Sequence, residues 1–164
     1  MVARAGLATG TSRVRFQRLG AIFALVALLA SPTAARSQVS DPAIGIKRLL
    51  LDASRSLQSA NAALFMGLFD RASFDGYAAL REDIGALTAH RRIASSVSIG
   101  ALEGGPEQWT ASVDWLLELT PKLDPGPVER RRQTLHVSVR KRGKRWRIVG
   151  LVPAEFFAPG QPGR

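Results

Sequence analysis

The feature that most limits how this chain can fold is the alternation in residues 130–151, RRRQTLHVSVRKRGKRWRIVGL. Leu135, Val137 and Val139 are separated by polar residues, and past Gly143 the alternation resumes with Trp146 and Ile148. A period of two belongs to a strand with one buried face, and two such runs around a glycine read as an antiparallel hairpin. With the tight turn centred on Arg142-Gly143, Val139 meets Trp146, Val137 meets Ile148 and Leu135 meets Gly150, all on one face that Val152 continues. The other face pairs Thr134 with Leu151, His136 with Val149, Ser138 with Arg147 and Arg140 with Arg145. A slip of one residue would turn every apolar side chain to water, so burial fixes the register and makes Trp146 a core residue.

The same stretch holds nine Lys or Arg and no Asp or Glu, which raises nucleic acid as a partner. Base stacking wants aromatics on the basic face, whereas the one aromatic here, Trp146, sits on the apolar face, so no nucleic acid is expected. Arginines directly across from each other repel, at about 0.2–1 kcal/mol per pair. The tip, Arg140, Lys141, Arg142, Lys144 and Arg145, is therefore expected in solvent, guarding the strand against edge-to-edge pairing. The alternative partner for that tip is an anionic surface such as a lipid headgroup or a cell-wall polymer.

The 164 residues suit one globular domain. Lys+Arg 23 against Asp+Glu 13 gives +10, but five of the arginines (Arg4, Arg13, Arg15, Arg18, Arg36) lie in residues 1–37, which read as a cleavable signal peptide. A basic start is followed by the twelve apolar residues Leu19 to Ala30 and then by small residues, with cleavage after Ala35 or Ser37. Twelve residues are too few to cross a bilayer, which takes about 20, so no transmembrane span is expected in the mature chain. That chain carries 18 basic against 13 acidic residues, or +5, and a periplasmic or secreted location is expected. Cysteine is absent, which excludes disulfides, thiolate nucleophiles and thiolate metal sites.

Between Asp41 and Asp70 apolar residues recur every three or four positions, at Ile46, Leu50, Ala53, Leu57, Ala60, Leu64 and Leu68, behind an Asp41-Pro42 helix start. A second helix is expected from Ser73, burying Tyr77, Leu80, Ile84 and Leu87 and ending at His90-Arg91-Arg92. The period then becomes two. Ile93, Val97 and Ile99 lie on one side of a first strand; Ala111, Val113, Trp115, Leu117 and Leu119 face inward from a second, while Asp114, Leu116 and Glu118 face out. The proline-rich TPKLDPGPV is a loop. Helices followed by four antiparallel strands make an α+β layer pair over residues 41–158, with 159–164 a disordered tail.

The segments ALFMGLFDRASFDGYAALREDI (63–84), ASVDWLLEL (111–119) and RRRQTLHVSVRKRGKRWRIVGLVPAEFF (130–157) resemble the nuclear transport factor 2-like superfamily, which includes SnoaL-like proteins and ketosteroid isomerases. The resemblance implies a cone-shaped fold, N-terminal helices on a curved, mainly antiparallel sheet, with a pocket at its wide end and frequently a homodimer. It does not imply one activity, because the fold hosts many. The isomerase set of tyrosine, neutral aspartic acid and aspartate base cannot be placed: the single tyrosine, Tyr77, is in the second helical segment.

The apolar faces that should meet between helix and sheet put Tyr77, Trp115, Val137 and Trp146 around a ligand pocket. His136 shares a type of face with Asp114 and Glu118, so Asp114 orienting His136 as a general base is the enzymatic alternative, of the isomerase or dehydratase type. Arg130, Arg131 and Arg132 are available to Asp114 and Glu118 as cross-strand ion pairs, which need no catalysis. His90 and His136 are too far apart for a local metal motif, so no metal and no cofactor is expected. The function expected is non-catalytic binding of a small, partly apolar molecule or a protein partner.

Overall fold

In the computed structural model, which describes residues 41–123 and 126–160, the first helix α1 (Pro42–Gln58) starts as its sequence requires. Asp41 caps it by accepting the Ala43 N–H at 2.9 Å, and Pro42 occupies the first turn. The leader read in residues 1–37 and most of the tail from 159 lie outside the described residues.

The expected helix from Asp41 to Asp70 is broken. The Ala60 N–H bonds Leu57 O and the Asn61 N–H bonds Ser56 O, both at 2.9 Å, with Ala60 left-handed at φ 51°. This is a Schellman ending, at a position where glycine is usual and alanine is strained. Asn61 then caps a short second helix α2 (Ala62–Met66) through the Leu64 N–H. The break shifts the helical phase: Phe65 is buried, and Leu64, read as core, stands 60% exposed. The third helix α3 starts at Tyr77, not Ser73, because left-handed Gly76 (φ 77°) turns the chain immediately before it, and it runs to His90. Leu80, Ile84 and Leu87 are buried as the spacing requires.

Four strands follow: β1 (Arg91–Gly104), β2 (Gln108–Pro121), β3 (Glu129–Arg142) and β4 (Arg145–Val152), then a 3-10 turn, Ala154–Phe157. They form one antiparallel sheet in the order β1-β2-β3-β4, so the architecture is α+β with helices on an open sheet. Ala111, Val113, Trp115, Leu117 and Leu119 of β2 are all fully buried on the helix side. Among the described residues no helix is long and apolar enough to cross a membrane.

The β3–β4 hairpin closes around Gly143, but with a register other than the expected one. Gly143 (φ 60°) is the first residue of a two-residue turn, Arg142 pairs with Arg145, and Val139 therefore meets Ile148 while Lys141 meets Trp146. A type II′ turn needs positive φ at its first central residue only, which Gly143 supplies. A bulge at Val149 then shifts the pairing, so Ser138 meets Gly150 and His136 meets Val152. The bulge turns Leu151 into the core and leaves Val152 62% exposed. Trp146 is half-buried beneath α1, where Gly45 is required: a Cβ there would lie 2.9 Å from the indole Cδ1.

The helix layer is fixed to the sheet by a buried polar circuit. The Trp115 indole N–H donates to Ser95 Oγ (2.9 Å), the Ser54 and Ser95 hydroxyls lie 2.9 Å apart, and Ser54 Oγ donates to Ser95 O (3.0 Å). A hydroxyl has one proton, so with Ser54 giving its own to the carbonyl, Ser95 must donate to Ser54. Gln58 Nε2 also donates to Ser95 O. Removing the central acceptor leaves a buried N–H orphaned. We expect Ser95→Ala to lose about 1–3 kcal/mol in urea denaturation. Trp115→Phe should cost less in the Ser95→Ala background than in the wild type, and equal costs would show that indole and hydroxyl are not coupled.

Candidate functional site

Of the four residues expected around a pocket, Trp115 and Val137 are fully buried in the centre of the sheet's inner face. Phe65 (6.5 Å between ring centres) and Phe157 (5.2 Å, edge to face) wall in the Trp115 indole. The aromatic contacts continue from Phe65 to Phe69 (5.1 Å) and from Phe69 to Phe74 (5.0 Å), which anchors the connection between α2 and α3 to the core. Trp146 lies under the start of α1, and Tyr77 opens α3.

Tyr77 lines an open cleft of about 480 Å³, together with Arg71, Ala78, Arg81 and Glu82. Tyr77 and Arg81 are one helical turn apart, as are Ala78 and Glu82, so two adjacent ridges of α3 form one wall. Arg71 comes from the connection. The Tyr77 hydroxyl is 3.5 Å from Met66 O, the limit of a hydrogen bond, and Gly76 gives the helix start no side-chain cap. Among the described residues Arg71, Arg81 and Glu82 enter no ion pair. An aromatic ring and a methyl thus share the cleft with two guanidiniums and a carboxylate. Arg71 and Arg81 lie in the segment 63–84 that carries the resemblance, but nothing there marked them as site residues; the fold brings the connection beside α3.

Asp114 and His136 share the outer face but are not opposite: Asp114 pairs with Thr134 and His136 with Ser112. The Asp114 carboxylate is turned to Arg132, with Nη2 to Oδ2 at 2.6 Å and Nε donating at 3.1 Å, and this guanidinium holds the Asp114 carboxyl below its usual range. The expected acid–base dyad is therefore not assembled, because arginine's two-pronged donor outcompetes a diagonal imidazole. Glu118 likewise takes Arg130 at 2.8 Å. Arg131 alternates to the inner face, where it is buried and donates to Glu129 (2.6 Å), Phe156 O (3.1 Å) and Ala158 O (2.7 Å). It holds the final turn that carries Phe157 onto Trp115. Among the described residues no three His, Asp or Glu converge as a metal site.

The basic tip is not uniformly solvated. Arg142 donates to Asp70 Oδ2 (2.7 Å) and Ser73 Oγ (2.8 Å), and Arg147 donates to Gly67 O. Backbone bonds Ile148 N–H to Leu68 O (3.0 Å) and Asp70 N–H to Ile148 O (2.8 Å) join the same segments. The hairpin therefore clamps the connection that supplies Arg71. Arg140 reaches Gln108 at 3.4 Å, and Lys141, Lys144 and Arg145 remain exposed.

No protein-family model and no curated protein matches the sequence. Solved structures do match the fold. A conserved protein from Planctomyces limnophilus DSM 3776 superposes with a TM-score of 0.62 at 9% identity, over 66% of this chain and 91% of that one. A protein from Streptomyces avermitilis, provisionally described as a dehydratase of the NTF2-like family, gives 0.57 at 8% identity over 66% and 92%. A nuclear transport factor 2-like superfamily protein from Salmonella enterica serovar Typhimurium LT2 gives 0.53 at 16% over 65% and 84%. Helices packed on a four-stranded antiparallel sheet define an α+β protein. Its particular form is the nuclear transport factor 2-like fold.

The Arg142 guanidinium holds the Asp70 carboxyl below the usual carboxylate range. A depressed folded-state value means the clamp's contribution is complete above the unfolded value of about 3.9 and is lost as pH falls through the lower folded one. Melting temperature should therefore be insensitive to this pair from pH 5 to 8 and fall below about pH 4. Asp70→Asn should flatten that acid limb, and an unchanged limb would remove the clamp's role.

Proposed function

We propose that this chain is an exported, non-catalytic domain of the nuclear transport factor 2-like kind that binds a small, partly apolar molecule in the cleft beside Tyr77. The observation that carries this reading is the cleft itself, open to solvent, with an aromatic wall and with Arg71, Arg81 and Glu82 in no ion pair among the described residues. Concave sites with an apolar wall and a few fixed polar groups are the usual form of small-ligand sites. The fold alone does not select between binding and catalysis. What favours binding is that Asp114, the carboxylate an isomerase or dehydratase reading would use, is committed to Arg132.

An NMR titration of the full chain with a set of small aromatic and aliphatic fragments tests the binding site. Saturable shifts should centre on residues 71–82, and Tyr77→Ala should weaken binding about tenfold, since stacking on a ring is worth about 0.5–1.5 kcal/mol beyond its buried area. Shifts confined to other faces would sink the proposal. Export is supported by the apolar run Leu19 to Ala30 ahead of Ala35 and Ser37. Expressed in a Gram-negative host, the chain should be recovered from the periplasm beginning at Arg36 or Gln38. Full-length chain retained in the cytoplasm would overturn it.

A further inference from the structure

We infer that the cleft takes an organic monocarboxylate, its carboxylate held between Arg71 and Arg81 and its apolar body against Tyr77; the inference rests on the binding site proposed above. Two guanidiniums enter the cleft from different elements, Arg71 from the α2–α3 connection and Arg81 from the second turn of α3. Neither has an ionic partner among the described residues, although other arginines of the domain, Arg130, Arg131, Arg132 and Arg142, each hold one. A guanidinium presents a planar fork of donors that matches a carboxylate two-to-two.

The remaining polar groups narrow the ligand further. Glu82 leaves the lining at a net +1, which suits one negative charge, whereas a polyphosphate would meet the Glu82 carboxylate. The Tyr77 hydroxyl, only loosely engaged by Met66 O, is a further donor, and its ring with Ala78 supplies the apolar wall. The connection bearing Arg71 is held by Asp70–Arg142, so one guanidinium is placed by the hairpin and the other by α3.

Calorimetric titration of the full chain with benzoate and 3-phenylpropionate, against benzyl alcohol and 3-phenylpropanol, decides the matter, with inorganic phosphate as a further probe. The acids should bind at least tenfold tighter than the alcohols. Arg71→Gln and Arg81→Gln should each weaken acid binding about tenfold, the size of one charge-assisted bond, and leave the alcohols within twofold. Both arginines are exposed, so melting temperatures should match the wild type. Alcohols binding as tightly as acids, or phosphate binding better than either acid, would overturn the carboxylate and leave the cleft standing as a binding site. Variants that keep wild-type affinity for the acids would overturn the arginine grip. Failure of acids and alcohols alike would overturn both this inference and the site on which it rests.

Discussion

The hydrogen bonds at Ser95 decide how α1 lies on the sheet, and the other contacts follow from that placement. An amphipathic helix with leucine and alanine along one stripe can roll by tens of degrees at little cost, since apolar burial has no direction. Ser54 and Gln58, four residues apart, both reach the Ser95 carbonyl, and Ser54 also meets its hydroxyl. Buried donors are expensive to leave unpaired, so one roll angle satisfies them and its neighbours do not. That angle lays Gly45 against Trp146 and aims the end of α1 so that α2 delivers Phe65 onto Trp115. The same Trp115 closes the hydrogen-bond circuit, so the aromatic core and the polar hub hold each other in place.

The consecutive arginines 130, 131 and 132 show how strand alternation turns like residues to different ends. Arg130 and Arg132 face outward to Glu118 and Asp114, where water and salt screen the pairs and leave them little weight in stability. Arg131 faces inward, 6% exposed, and breaking a buried pair of that sort costs about 3–5 kcal/mol. Of the three, the one that matters most to the fold is thus indistinguishable by type from its neighbours.

In β2 and β3 the strand faces were legible because the alternation runs unbroken, and their inward rows lie where it puts them. Helix phase was less secure. An alanine in the left-handed position that ends α1 carries no warning, whereas a glycine would have announced the stop; Asn61 was the remaining cue. In the hairpin, Gly143 marked the turn but fits either central position, so the register was offset, and the one cue to the bulge at Val149 was the neighbouring in-strand Gly150. The Asp114–His136 dyad failed for a related reason. It required the β2–β3 register across a proline-rich loop, and the actual register sets both Arg132 and His136 diagonal to Asp114, where the guanidinium prevails.

The proposed cleft was the least legible part: Tyr77, Ala78, Arg81 and Glu82 lie on a helix that the spacing marked, but Arg71 comes from a connection with no period, and only the fold sets it beside them. Arg71 follows Asp70 in a tight turn, with the Ser73 and Phe74 N–H groups on Asp70 O and the Ala72 N–H on the Asp70 carboxylate. Phe69 and Phe74 pin that turn to the core from one side and Arg142 grips it from the other. A connection so held is as well placed as a helix end, yet its exposed side chains contribute little to the core. On the proposed reading, substitution at Arg71 or Arg81 would therefore change what the cleft accepts without disturbing Ser95 or Trp115. Such a separation would let one fold with a closed aromatic core take different ligands at its rim.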